Sequence, residues 1–261
     1  MLLHWIESQS TPVIALIMFS GCYALAVIVH FLVARLSHSA LAAEMKATTP
    51  VMLTPLAVLL GLLIAFLAQR VWNNIDHANA YIGAETSALR QTMLLSEALP
   101  PSVRDPLRAT IREHVNFILE EDWELMAAAE GATREMPEKI GNAILHVIAF
   151  VPTTPGEELV QRQIVVALEE AMQARLDRIL LSEAAIAPLQ WQVILILSIL
   201  ILITICMVHL DRPYTTIINL FVFSTAVATC LVLITVNDRP FASGGITLKP
   251  HAFEDLARDL K

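Results

Sequence analysis

Four apolar stretches of about twenty residues, with a charged block wedged between the second and the third, constrain this chain more than anything else in its sequence. A helix needs about 20 predominantly apolar residues to cross the hydrocarbon core of a bilayer. Residues 13–34 carry no charge and a single histidine, and residues 50–68 carry no charge at all, with Pro50 and Pro55 near their start, where proline costs a helix least. Residues 189–210 are rich in Ile and Leu, with Trp191 at their entrance as an interfacial anchor, and residues 214–236 form the fourth run. The first stretch is too long for a signal h-region and is preceded by Glu7 and no Lys or Arg, so it reads as a retained anchor rather than a cleaved signal.

Residues 69–188 hold 10 basic and 18 acidic side chains, which accounts for the whole formal net charge of −8. An acidic, water-compatible block is therefore inserted into an apolar protein. The expected fold is an all-α membrane protein: spans one and two in residues 1–68, an acidic helical cytoplasmic domain in 69–188, spans three and four in 189–236, and a cytoplasmic tail in 237–261. Four spans place both termini and the acidic block on one side. That side offers Arg70, Arg175, Arg178, Arg239 and Lys249 near the bilayer, against Arg35, Lys46 and Arg212 on the other, a slight bias that favours the cytoplasm. Cys22, Cys206 and Cys230 all fall in spans, so no disulfide framework is expected.

Inside the acidic block the periodicity is helical. Val71, Ile75, Ala78, Ile82, Leu89 and Met93 recur at spacings of three, four or their sum, and no breaker separates them from the second span. One unbroken helix from about Pro50 to about Leu99 is expected, stopped by Pro100 and Pro101. Asp105 and Pro106 read as a cap with a first-turn proline. Pro137 opens a short helix, and Thr154, Pro155 and Glu157 make a capping-box start for a helix that can run to Pro188.

Catalytic and metal motifs are missing. There is no phosphate-cradling glycine loop, no nucleophile elbow, no Cys-x-x-Cys and no His-Glu-x-x-His, so neither an enzyme nor a cofactor or metal site is expected. A net negative chain without clustered Lys and Arg is a poor partner for nucleic acid. His114 reads as a surface or core histidine, and His30, deep in the first span, stands between a functional ionisable group and a cheaply buried neutral imidazole. The run Glu120, Glu121, Asp122 and Glu124 reads as a solvated helix face rather than a calcium site. Glu85 falls on the apolar seam of the long helix, which asks for an ion pair with a domain arginine, or else marks an ion or proton site.

The second span has two faces. Ala57, Gly61, Ala65 and Ala68 form a small-residue stripe suited to close packing inside the subunit. Leu59, Leu63, Phe66 and Arg70 run down the other side, facing either lipid or a hydrophobic constriction shared with symmetry mates. Beyond the fourth span, Asp238 sits at a helix C-terminus, where a carboxylate is electrostatically misplaced unless an arginine such as Arg239, Arg70 or Arg178 compensates it. Phe241 is expected to tuck under the helices of the domain and clamp the tail, with a flexible tail through Gly244 and Gly245 as the alternative.

Three passages resemble the bestrophin-like family of bacterial membrane proteins. They are residues 61–66 leading into Arg70, then Glu85 to Arg90 through Leu99-Pro100 with Glu121-Asp122-Trp123, and finally Asn237-Asp238-Arg239-Pro240-Phe241 followed by Lys249-Pro250. The resemblance implies a relation to bestrophins, which are pentameric ion channels with four spans per subunit, a helical cytosolic domain and an axial pore. It thus implies a homo-oligomeric, pentameric channel of the bacterial inner membrane, with the bilayer, inorganic ions and other copies of itself as partners. Leu59, Leu63, Phe66 and Arg70 are then the pore-lining candidates, and Glu85, Asp238, Arg239 and Phe241 the charge-pair or gating candidates. The acidic balance of the domain argues against strong anion selectivity. The rival reading is a membrane scaffold or sensor whose acidic domain docks a cytosolic partner.

Overall fold

Apolar residues occupy every side of the spanning segments, and in the computed structural model each segment is helical. The structure describes residues 9–36, 50–128, 138–241 and 248–260. Glu7, Lys46, Pro137 and the Ser243-Gly244-Gly245 stretch, all used in the sequence reading, lie outside the described residues. Helix α1 covers Thr11–Leu36, α2 Leu53–Ser96, α3 Pro101–Phe117, α4 Trp123–Ala128, α5 Glu138–Ala149, α6 Pro155–Ser182, α7 Pro188–Val208, α8 Pro213–Asn237 and α9 His251–Asp259. Four of these, α1, α2, α7 and α8, are long and apolar enough to cross a membrane. Among the described residues there is no strand.

The chain divides into two compact units. The first draws on Met1–Asn73 and Ala185–Arg239, the second on Asn74–Ala184 and Pro240–Lys261, and α2 contributes to both. In the first unit α1 packs on α7 and α8. Ala26, Val29 and Val33 of α1 are buried, while Leu16, Phe31 and Leu32 stand more than half exposed, as helices facing lipid require. The Tyr23 ring stacks on Phe221 at 5.4 Å, and its hydroxyl lies 2.9 Å from Thr225 Oγ1.

The second unit is a helical core of Leu89, Leu107, Ile111, Val115, Ile164 and Leu168, closed by Phe241, Phe253 and Leu256 from the end of the chain. Helix α2 runs 44 residues without interruption, about 66 Å at 1.5 Å per residue. The next helix opens at Pro101 instead of Asp105. Pro101 takes the first helical position, where its missing N–H costs nothing, and Pro106 sits inside the helix, forgoing one bond, while Asp105 pairs with Arg104 rather than capping. Thr154 and Glu157 form both bonds of a capping box at the start of α6. That helix ends at Ser182, short of Pro188, and Ala187 just before Pro188 is extended (φ −61°, ψ 139°), as a residue preceding proline favours.

Candidate functional site

At 3.6 residues per turn, Leu60, Leu67 and Val71 fall on one line of α2, and these are the residues its apolar, first-unit part buries. The two faces distinguished in the sequence flank this seam on opposite sides. Ala57, Gly61 and Ala65 are exposed, so the small-residue stripe is not packed inside the subunit, and a leucine and valine seam takes that place. On the other flank Leu59 is 54% and Phe66 70% exposed, whereas Leu63 and Arg70 are half-buried. Directly opposite the seam stand Val58, Leu62, Gln69, Asn73 and Asp76, all exposed. The sequence reading passed over this third face. Its signal was the change from apolar to amide and acid along one line of the helix.

Arg70 is tied down within the first unit. Its Nη2 donates to the Ala185 carbonyl and its Nη1 to Gln190 Oε1, each at 3.3 Å. Gln190 Oε1 also accepts the backbone N–H of Ala187 at 3.3 Å. Asp238 is buried, and its Oδ2 accepts the backbone N–H of Ile186 at 3.1 Å. The donor at this oxygen is a main-chain amide. A carboxylate misplaced at the C-terminus of α8 thereby sits at the N-terminal entry of α7, where the partial charge is positive. Arg239 beside it is half-buried.

The second unit holds a buried ionic cluster. Glu85, His114, Asp122, Arg175 and Arg178 are each at most 1% exposed. Arg178 Nε donates to Glu85 Oε2 at 3.0 Å and its Nη2 to Asp122 Oδ2 at 3.2 Å, while Arg175 Nη2 donates to Asp122 Oδ1 at 2.9 Å. His114 Nε2 lies 3.4 Å from Glu85 Oε1. Two guanidinium groups and two carboxylates balance, which meets the condition for burying charge at all. Burial alone would push the Glu85 carboxyl up, but the Arg178 charge and the His114 contact outweigh it and hold the group below its ordinary value.

The sequence analysis isolated Glu85 and missed its partners. Asp122 was hidden in an acidic run: Glu120, Glu121 and Glu124 are exposed as a solvated face should be, but Asp122 is fully buried. A π-helical turn over Ile118–Asp122 precedes α4 and delivers this carboxylate to the arginines. Arg175 and Arg178, counted among juxtamembrane charges, share a face of α6 with Leu168 and Ala171, and that apolar register was the available signal. His114 is a core histidine. His30 is half-buried, its ring 6.0 Å from that of Phe31. Among the described residues no group of three metal-ligating side chains occurs.

Phe241 is 2% exposed and meets Trp123 edge-on at 5.5 Å, and Trp123 also meets Phe253 of α9 at 6.4 Å. The Arg178 guanidinium lies over both the Phe253 and Trp123 rings, at 5.4 and 5.9 Å. The end of the chain thus covers the ionic cluster with aromatic rings. Helix α9 went unread in the sequence, although Phe253, Leu256 and Leu260 at spacings of three and four marked it.

Four apolar spanning helices, one of them shared with a second helical unit built round buried ion pairs, define an α-helical integral membrane protein. The chain belongs to the bestrophin-like family: the Bestrophin-like domain model matches residues 20–253. No curated protein and no solved structure matches it significantly.

Proposed function

We propose that this protein is a homo-oligomeric, pentameric ion channel of the bacterial inner membrane, its pore lined by α2, with the acidic unit and both termini cytoplasmic. The observation that carries the reading is the burial pattern of α2. In a single chain the membrane part of this helix covers one narrow seam and leaves a flank of large residues, a flank of small ones and a third face between them exposed. Helices that line an axial pore need such unpartnered flanks, because each meets a neighbouring copy on either side. Leu59 and Phe66 remain the strongest of the pore candidates, joined by Val58 and Leu62. Arg70, engaged with Ala185 and Gln190, supports the wall more than it lines the opening. Family membership supports the channel class.

The direct test is the size of the detergent-solubilised protein together with conductance after reconstitution in liposomes. A monomer, or a silent bilayer, removes the channel. Cysteine substitution along residues 58–69 then maps the pore: reagents that block current should act at one helical face, and labelling from either side of the membrane fixes the topology. A second reading, a membrane scaffold docking a soluble partner, draws on the exposed Leu145, Ile148, Val151 and Leu159 of the second unit. It is favoured by an oligomer that never conducts.

A further inference from the structure

In the first unit a groove runs between α1 and α8 and changes chemistry along its length. Its inner part is a cavity of about 310 Å³ whose walls, from α1 and α8, are apolar except for Tyr23 and His30. A cavity of about 210 Å³ continues it past His30, between Ala34, Leu210 and Pro213. A third, of about 280 Å³, is bounded by the turn that joins α7 to α8, with His209, Asp211 and Arg212 in its wall. His30 belongs to the walls of the first two and Leu210 to those of the last two, so the three form one path. From Tyr23 to Ala34 this path follows α1 for about 16 Å at 1.5 Å per residue. The stacked rings of Tyr23 and Phe221 stand at its inner end. Half of a hydrocarbon core about 30 Å thick is about 15 Å, so the groove is one leaflet deep.

Most polar groups along the path are answered within the protein. The Tyr23 hydroxyl meets Thr225 Oγ1 at 2.9 Å, and Thr216 Oγ1 donates to the His209 carbonyl at 2.8 Å. His209 Nδ1 lies 3.2 Å from the Ile205 carbonyl and its Nε2 lies 3.3 Å from Asn219 Nδ2. Asp211 is engaged as well. Three basic side chains remain, and all three are accessible. His30 is half-buried at the junction of the inner cavities, Arg35 is exposed one residue beyond Ala34, and Arg212 is exposed in the wall of the outermost cavity. None of the three makes a side-chain hydrogen bond or ion pair among the described residues.

We infer that this groove is a binding site for an anionic phospholipid of the phosphatidylglycerol type. Two guanidinium groups at the mouth suit a phosphate, which they can grip through paired N–H donors, and basic pockets between spanning helices hold anionic headgroups. His30 lies about 7.5 Å below Arg35 along α1, the depth at which the ester carbonyls of a lipid follow its phosphate, and a neutral imidazole supplies one N–H donor there. Below His30 the walls are apolar as far as Tyr23, a seat for one acyl chain. A zwitterionic headgroup would bring its ammonium to a place where two cations already stand and where Asp211 is engaged. A soluble phosphate would use the arginines and leave the apolar length of the groove without purpose. A second copy laid over the groove would bury the arginine heads without counter-charge, which costs several kcal/mol per ion. The site lies outside the channel reading and stands whether or not the protein conducts.

The test uses the full chain in detergent, titrated with dioleoyl phosphatidylglycerol or dioleoyl phosphatidylcholine and read by native mass spectrometry. Saturable binding of phosphatidylglycerol in preference to phosphatidylcholine is expected. An arginine near an anionic headgroup is worth about a factor of five, so the Arg35→Gln/Arg212→Gln double variant should bind phosphatidylglycerol about twenty-five times more weakly. Ile217→Trp, which narrows the inner groove, should weaken it as well, and glycerol phosphate should not compete. Arg162→Gln, an equally exposed arginine of the second unit, should bind as the parent does. Without lipid the double variant should melt with the parent, since both side chains are exposed and unpaired among the described residues, and this separates lost binding from lost folding. Equal binding of the two lipids overturns the assignment, as does unchanged affinity in the double variant or the same loss in Arg162→Gln. So does glycerol phosphate that displaces the lipid, or a structure with a second copy seated in the groove.

Discussion

Arg178 is the residue on which the second unit most depends, because it neutralises both Glu85 and Asp122 in a place no water reaches. Replacing it by Met preserves volume but leaves Glu85 with no guanidinium partner and Asp122 with Arg175 alone. Breaking a buried pair from one side costs about 3–5 kcal/mol. Arg178→Met should therefore lower the thermal stability of the purified protein sharply, while Glu85→Gln, which leaves Asp122 to answer both arginines, should cost less. A melting temperature for Arg178→Met equal to the parent's would mean that the cluster is not formed in solution. Glu85 also sets a pH dependence. A carboxyl held below its ordinary value of about 4.3 stabilises the folded state above that pH, and the contribution disappears as pH falls through the depressed folded value. The groups around it, Arg178, His114 and Asp122 with Arg175 behind, act through this one carboxylate. Melting temperature should thus fall below about pH 4, and Glu85→Gln should flatten that fall, starting from a lower melting temperature at neutral pH. An identical acid slope in the variant would refute the assignment. The sequence disclosed Glu85 because a charge on an apolar seam contradicts its surroundings. It concealed Asp122, since one buried acid among four looks the same as its solvated neighbours until a π-turn chooses between them.

At the scale of elements, what the sequence disclosed was whatever is decided locally. The four spans are set by length and hydrophobicity, and the structure moves their ends by only one or two residues, apart from the second, which continues as α2. The capping box at Thr154 is likewise local, and both of its bonds form. Thr154→Ala should cost α6 about 1 kcal/mol, and Thr154→Ser should restore most of it. The check is hydrogen exchange of the amides of the first turn, which should quicken in the alanine variant and recover in the serine variant. What resisted reading was decided by contacts distant in sequence. Asp105 and Pro106 read as a helix start, but the helix already opens at Pro101 and carries Val103 as well as Leu107 into the core. The small stripe of α2 looked ready for packing, but Leu60 and Leu67 bury more apolar area and win the seam. The main-chain amide that Asp238 accepts at the entry of α7 has no signature in the residues themselves.

For the whole molecule the decisive quantity is where charge stands relative to the proposed axis. Residues 69–188 of each chain carry its entire net charge of −8, so the proposed assembly would multiply an acidic field. Such a field gathers cations and thins anions within a Debye length of about 8 Å at physiological salt. The face of α2 opposite its buried seam sharpens the argument: beyond the apolar Val58 and Leu62 it carries Gln69, Asn73 and then Asp76, all exposed. Arg70 on the neighbouring flank would favour anions if free, but its guanidinium is engaged by Ala185 and Gln190. A constriction responds most to the ring of charge nearest to it. The proposed channel should therefore not prefer anions strongly. In asymmetric KCl its reversal potential should lie on the potassium side of zero or near it, and Asp76→Asn should shift it toward the chloride limit by several millivolts while leaving subunit number unchanged. Arg70→Gln should act chiefly by loosening the entry of the third span, lowering stability more than it alters selectivity. A parent reversal potential close to the chloride limit would show that a local cation ring overrides the acidic unit. An Asp76→Asn channel indistinguishable from the parent would place that face of α2 away from the ion path.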